Sequence, residues 1–200
     1  MPFDYSKSGL PDNVKWKNAA AFCNKWLDQN MSMFGPERIA SFMEHQPVAA
    51  AKLIIANCPG YSEDSITLAL LGPARQIFMQ NERGLEMAEL IFGSRTVALM
   101  KYLDGQAIPN GDTGMPVDAN RLFLVEGLSG MNDQIIGRAK IDKHHQVRWN
   151  MLNHYESTFA GIKGQNPAID KIFAEALVKS RAALEALDNA PKKGPKPPQP

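Results

Sequence analysis

Histidines and carboxylates are the side chains in this sequence that could hold a metal ion or transfer a proton. Three of the four histidines, His144, His145 and His154, fall within one predicted helix. Adjacent residues on a helix point about 100° apart, and nine residues span more than two turns. These imidazoles are therefore too far apart to share one ion, and we interpret them as part of an exposed polar face.

A glycine-rich stretch carries the next candidate ligands, Asp104, Asp112 and Asp118. A calcium loop needs oxygen ligands at alternating positions and a terminal glutamate, which this stretch does not supply. The sequence also lacks the GxxxxGK[ST] and GxGxxG patterns that bind phosphate groups. Residues 104–116 are therefore predicted to form a loop, and His45 is left as a lone imidazole elsewhere in the chain.

Composition narrows the class of protein. The 200 residues are 44% hydrophobic and 22% charged with a formal net charge of +1, which is typical of a globular domain. This charge supplies no basic surface for nucleic acid, and no run of about 18 apolar residues offers a membrane span. We therefore expect neither nucleic acid nor a membrane as a partner. The start lacks a secretory signal, so the chain is predicted to be cytoplasmic, with Cys23 and Cys58 as core thiols.

Hydrophobic spacing predicts helices, and no segment of convincing length alternates with a period of two. The clearest unit spans 62–105. It contains a buried helix that reaches Gly72 and Pro73, a helix over 83–92 and another over 97–103. Pro73 should interrupt the first helix because proline lacks a backbone N–H. The stripe predicted to face inward in the second helix is Leu85, Met87, Ala88, Leu90 and Ile91.

Capping residues and prolines place the remaining helices. They are predicted over 14–27, over 36–43, from Pro47 to 56, from a cap at Asp118 or Asn120 to about Gly130, over 144–162, and from the cap Asn166 to 187. The chain is thus predicted to be all-α, with a single helical domain over 13–188. An irregular lead-in covers 1–12, and a Pro/Lys-rich tail that cannot pack a core covers 189–200.

Three short segments carry a resemblance to a known family. His45-Gln46-Pro47, Leu70-Leu71-Gly72-Pro73 and Leu90-Ile91-Phe92-Gly93 occur in this order. They resemble motifs of the HD-domain metal-dependent phosphohydrolases, most closely the hydrolase domain of the RelA/SpoT alarmone enzymes, over roughly 36–187. That family has His-Asp where this sequence has Gly-Pro. The resemblance implies an HD-like helical fold whose central metal motif is replaced.

The resemblance also implies the position of a vestigial pocket. Gly72 and Pro73 replace the His-Asp ligands, and Ser129 stands near the last ligand aspartate. One matching ligand, His45, is too few to hold an ion that needs about four. The implied pocket residues are His45, Gly72, Pro73, Gln76, Ser129 and Asp133. Four arginines near its mouth could grip an anionic nucleotide: Arg75, Arg83, Arg121 and Arg138.

Two functions follow from this resemblance. The first is a catalytically inactive HD-domain homologue that acts as a binding or regulatory module without a cofactor. Its partner would be another protein, a second copy of the chain, or a guanine nucleotide that is bound without hydrolysis. The alternative is a manganese-dependent phosphohydrolase of guanosine polyphosphates with a rearranged site. That site would use His45, Asp133 and carboxylates of the 104–118 segment.

Overall fold

Helices form every regular element in the ranges that the structure, a computed structural model, describes: residues 3–30, 35–105, 114–136 and 145–189. The α-helices are α1 (Val14–Asn30), α2 (Pro36–Met43), α3 (Ala49–Asn57), α4 (Glu63–Leu71), α5 (Arg75–Met79), α6 (Glu82–Phe92), α7 (Ser94–Leu103), α8 (Met115–Gly130), α9 (His145–Ile162) and α10 (Pro167–Asp188). Short 3₁₀ turns occupy Tyr5–Lys7 and Gly72–Ala74, and π-helical segments occupy Glu44–Val48 and Met131–Ile136.

Helix α4 is the centre of the fold. Every side chain from Ser65 to Leu71 is buried, because α4 packs against α1, α3, α7 and α8. One hydrophobic core includes side chains from α1 to α10. The prediction of a single all-α domain is therefore confirmed for the described residues. None of the helices in these ranges is long and apolar enough to cross a membrane.

The end of α4 turns sharply at Gly72, as predicted. Gly72 has φ of 47° and ψ of −129°, a backbone conformation that side chains with a Cβ rarely adopt. A Cβ on this residue would lie 3.3 Å from the ring of Pro47 and 3.6 Å from the sulfur of Cys23. Gly72 is thus required both by its own backbone and by the close approach of α1 and the segment before α3.

Pro47 does not open a helix, contrary to the sequence prediction. It lies inside a continuous helical run in which α2 passes through the π-helical segment Glu44–Val48 into α3. Proline cannot donate a backbone hydrogen bond and clashes with the preceding turn of a regular α-helix. The wider π-helical turn gives the ring room, so the chain continues without a break. Such local widenings often occur at functional sites.

Two further sequence predictions are wrong. Helix α8 begins at Met115, so Asp118 and Asn120 lie within the helix and do not cap it. In α6, Met87 is 42% exposed and Leu90 is 88% exposed, although both were predicted to face inward. The face of α6 that packs inward instead carries Gly84, Ala88 and Phe92, which are spaced four residues apart and are buried.

The Pro/Lys-rich tail lies almost wholly outside the described residues.

Candidate functional site

A pocket opens where the Glu44–Val48 segment, α3, the α4 to α5 junction and α8 meet. Its volume is about 280 Å³. The lining residues come from segments that are far apart in sequence: Gln46, Pro47, Ala50, Ala69, Gly72, Pro73, Arg75, Gln76, Glu126 and Ser129. The turn at Gly72 brings Arg75 and Gln76 of α5 over the end of α4. The backbone conformation of Gly72 therefore determines the shape of the pocket.

The two π-helical segments are joined beside the pocket by a side-chain hydrogen bond. Gln46 of the first segment donates from Nε2 to Oδ2 of Asp133 in the second, at 2.8 Å. Gln134 donates to the same oxygen at 2.7 Å. These bonds fix the amide of Gln46, a lining residue, and direct its nitrogen toward Asp133. The amide oxygen of Gln46 is the end of this side chain that can still accept a hydrogen bond.

An ion pair lies in the pocket wall. The guanidinium of Arg75 binds both carboxylate oxygens of Glu126, with N···O distances of 2.6 and 3.2 Å. Both side chains are about one-third exposed, at 28% and 32%. Because two parallel N–H···O bonds restrict the pair to one geometry, the pair presents a cation and an anion side by side. Glu126 was not predicted from the sequence, although it precedes Ser129 by three residues and so shares its helix face.

Ser129 supplies the least expected feature of the site. The residue is only 4% exposed, and its hydroxyl has no hydrogen-bond partner among the described residues. A buried hydroxyl without a partner costs about 1–3 kcal/mol relative to one that is hydrogen-bonded. Ser129 lines the pocket. The oxygen itself has almost no accessible surface, so a ligand in the pocket would reach this hydroxyl only after the side chain changes rotamer.

The structure brings together most of the residues that the resemblance placed in the pocket. Gly72, Pro73, Gln76 and Ser129 line it, and Asp133 contacts the lining residue Gln46. His45 does not join them. It is exposed, and its Nδ1 lies 2.8 Å from the backbone carbonyl oxygen of Ser41 in the same helical run. The functional role of these residues stays a prediction.

The four predicted arginines do not converge on this pocket. Arg75 lines it, but Arg83 is exposed on α6 and Arg121 pairs with Asp118 at 3.4 Å, and neither lines the pocket. Arg138 lies outside the described residues. Of the three predicted arginines that the structure describes, Arg75 alone lines the pocket, and the nucleotide-binding role of the four stays a prediction.

A second charged cluster joins the N-terminal ends of α4, α7 and α8 away from the pocket. Asp64 binds Lys15 at 2.6 Å and Arg95 at 3.2 Å. Asp118 binds Arg95 at 2.9 Å and also contacts Arg121. Burial raises the pKa of Asp64, but hydrogen bonds from Lys15, Thr96 and Arg95 lower it more, so the net pKa lies below its ordinary value. The cluster holds the N-terminal ends of α4, α7 and α8 together, and Asp118 makes its ion pairs there and not in the pocket.

Thiols and candidate metal ligands complete the description. Cys23 and Cys58 are buried and unpaired, as predicted. Burial raises the pKa of the Cys23 thiol to about 12, so this sulfur packs behind Gly72 as an uncharged group. Among the described residues, no three histidine, cysteine, aspartate or glutamate side chains form a group that could hold a metal ion. Asp112 lies outside those residues.

Comparisons with known proteins give no match to this chain. No protein-family model matches it, and no curated protein or solved structure does so either. The resemblance to the RelA/SpoT hydrolase domain therefore stays a prediction from the sequence motifs.

Proposed function

We propose that this chain is a non-catalytic binding module of HD-like architecture whose metal site has been lost. Its ligand site is the pocket between α3, α4, α5 and α8. The observation that carries this proposal is the pocket wall, which combines the part-exposed Arg75–Glu126 ion pair with small apolar side chains. A concave, mostly apolar pocket with a few convergent polar groups is typical of a small-molecule site.

The side chains in the pocket are suited to binding and poorly suited to metal-assisted hydrolysis. The lining includes one carboxylate, that of Glu126, and this group is paired with Arg75. The rearranged hydrolytic site would need His45 and Asp133 together with carboxylates of the 104–118 segment. Instead His45 contacts its own helical run, and Asp118 is held by two arginines in the other cluster. Asp112 lies outside the described residues.

The size and charge of the pocket favour a small ligand over the guanine nucleotide suggested by the resemblance. Its volume of about 280 Å³ is just below the range of about 300–1,000 Å³ typical of drug-sized ligands. Polyphosphates carry several negative charges and are usually held by several cations. Among the described residues, one arginine lines this pocket, and it already pairs with Glu126.

A ligand screen with a pocket-blocking variant tests the proposed function. Thermal unfolding of the intact chain would be measured against small polar metabolites and guanine nucleotides. A ligand at a hundredfold excess over its dissociation constant stabilises the folded state by about 2.7 kcal/mol. For a chain of this size that corresponds to an increase of about 5–10 °C in the melting temperature. Gln76→Trp should abolish the increase, because Gln76 lies at the exposed rim of the pocket.

Two controls complete the test. Gln29→Trp introduces the same side chain at an exposed position of α1 and should leave binding unchanged. Calorimetric titration of manganese into the chelator-treated protein addresses the enzyme alternative. Saturable binding of one or two ions, with metal-dependent release of phosphate from guanosine polyphosphates, would overturn the non-catalytic proposal. The predicted protein partner and self-association stay predictions, which the dependence of the sedimentation coefficient on protein concentration would test.

A further inference from the structure

The charged side chains in the pocket wall have no net charge, and this limits the net charge of a ligand that can bind there. Arg75 contributes one positive charge and Glu126 one negative charge, and the other lining side chains are uncharged. A ligand with a large net charge would leave that charge uncompensated in a partly buried site, which is unfavourable. A ligand with no net charge does not incur this cost.

The ion pair retains capacity for further hydrogen bonds. A guanidinium has five N–H donors and a carboxylate about four acceptor sites. The Arg75–Glu126 pair uses two of each, and neither residue has another partner among the described residues. A ligand could therefore place its anion against Arg75 and its cation against Glu126 without breaking the pair. The four charges would then alternate in sign.

The rest of the lining divides into polar and apolar parts. Among the polar residues, Gln46 offers an amide oxygen that can accept a hydrogen bond. The remaining wall is formed by small apolar residues: Pro47, Ala50, Ala69 and Pro73. This combination suits a compact ligand with a polar, doubly charged end and a short apolar body. It does not supply a charged partner for a third ionic group.

We propose that the pocket binds a zwitterionic α-amino acid with a small apolar side chain, its carboxylate against Arg75 and its ammonium group against Glu126. This assignment rests on the proposed function, because it names the ligand of the same pocket. The apolar side chain contacts the proline and alanine residues of the wall.

Calorimetric titration with matched ligands tests each charge separately. The probes are L-valine, L-valinamide, which lacks the anion, and N-acetyl-L-valine, which lacks the cation. Hydrogen bonds to charged groups contribute about 1.5–3 kcal/mol, so each analogue should bind about ten- to a hundredfold more weakly than valine. Alanine and leucine would establish the preferred side-chain size.

Matched variants connect the binding to the ion pair. Arg75→Gln and Glu126→Gln should each weaken valine binding by about tenfold or more, since each removes one charge that the ligand contacts. Arg83→Gln and Glu86→Gln make the same changes at exposed positions of α6 and should not alter it. Circular dichroism would verify that all four variants are folded.

The outcomes separate the ligand class from the proposed function. Equal affinity for valine and its two analogues, or valine binding that survives Arg75→Gln, would overturn the zwitterion assignment. If none of the three amino acids binds but another ligand does so in a manner that Gln76→Trp abolishes, the assignment fails and the pocket function stands. If no screened compound binds in the pocket, both proposals are overturned.

Discussion

Replacing Gly72 with alanine tests the conformation on which the pocket depends. Gly72 has φ of 47° and ψ of −129° at the end of α4, and an added Cβ would approach the ring of Pro47 to 3.3 Å. Both the backbone conformation and the nearby ring make a side chain at this position unfavourable. The strained backbone costs about 1–3 kcal/mol for a residue other than glycine, and forcing a methyl group into the packed site costs a similar amount.

The expected loss of stability is about 3 kcal/mol. Alanine restricts the unfolded chain more than glycine does, which offsets the two costs by about 0.4–1 kcal/mol. A loss of about 3 kcal/mol corresponds to a decrease of about 6–12 °C in melting temperature for 150–250 residues. Urea unfolding monitored by circular dichroism would measure the free energy of unfolding directly.

Two glycines serve as controls for the separate effects. Gly93 also has positive φ, 88°, but nothing lies within 4 Å of an added Cβ, so Gly93→Ala reports backbone strain alone. Gly161 lies within α9 with no neighbour within 4 Å, and alanine there should be neutral or stabilising by up to about 1 kcal/mol. If Gly72→Ala destabilises no more than Gly93→Ala, contact with Pro47 does not restrict this position. If it matches Gly161→Ala, the described turn is wrong.

Three further predictions concern the second charged cluster and the packing of the helices. Because the pKa of Asp64 is below its ordinary 3.8 in the folded protein, Asp64 stabilises the fold above that pH. This contribution is lost as pH falls through the lowered pKa, so Asp64→Asn should flatten the decline of stability in acid, measured by urea unfolding from pH 7 to 3. Gly130→Ala should destabilise the chain by about 1–3 kcal/mol in the same assay, because its Cβ would lie 2.7 Å from the hydroxyl of Tyr155. Cys23, buried with a pKa of about 12, should react with a thiol reagent at pH 8 only after unfolding.

Each of these three predictions would be contradicted by a specific result. Asp4 is an exposed aspartate whose pKa is also lowered, and it serves as the control for Asp64. If Asp4→Asn changed the decline of stability in acid as much as Asp64→Asn does, the stabilising role assigned to the buried cluster would be wrong. Unchanged stability of Gly130→Ala would mean that the side chain of Tyr155 can move away from α8 at little cost. Rapid modification of Cys23 in the folded protein would show that the packing behind Gly72 opens.

Some elements were evident from local sequence because their cause is local. Pro36 and Asn166 mark the starts of α2 and α10, where a proline or a capping side chain suits the first turn. The Gly72-Pro73 break was also predictable, since proline removes an N–H from the helix. The continuous helix through Pro47 was not predictable, because the same property of proline predicts the start of a helix there. The π-helical turn that makes room for the proline ring depends on packing against neighbouring helices.

Burial was predicted less well where a helix has apolar residues on more than one face. Met87 and Leu90 fit a helical stripe as well as their neighbours do, yet they face away from the core. Helical spacing identifies residues that share a face, but it does not decide which face meets the next helix. In α6 the small residues Gly84 and Ala88 permit the close approach, so that face packs inward.

The helical architecture and the break at Gly72 follow from the sequence alone. What the pocket contains depends on how the helices pack. Arg75 meets Glu126 across 51 positions of sequence, and Gln46 meets Asp133 across 87. Local periodicity carries no information about such pairs, because they form only when the packed helices fix which faces oppose each other. The same packing leaves Ser129 buried without a partner.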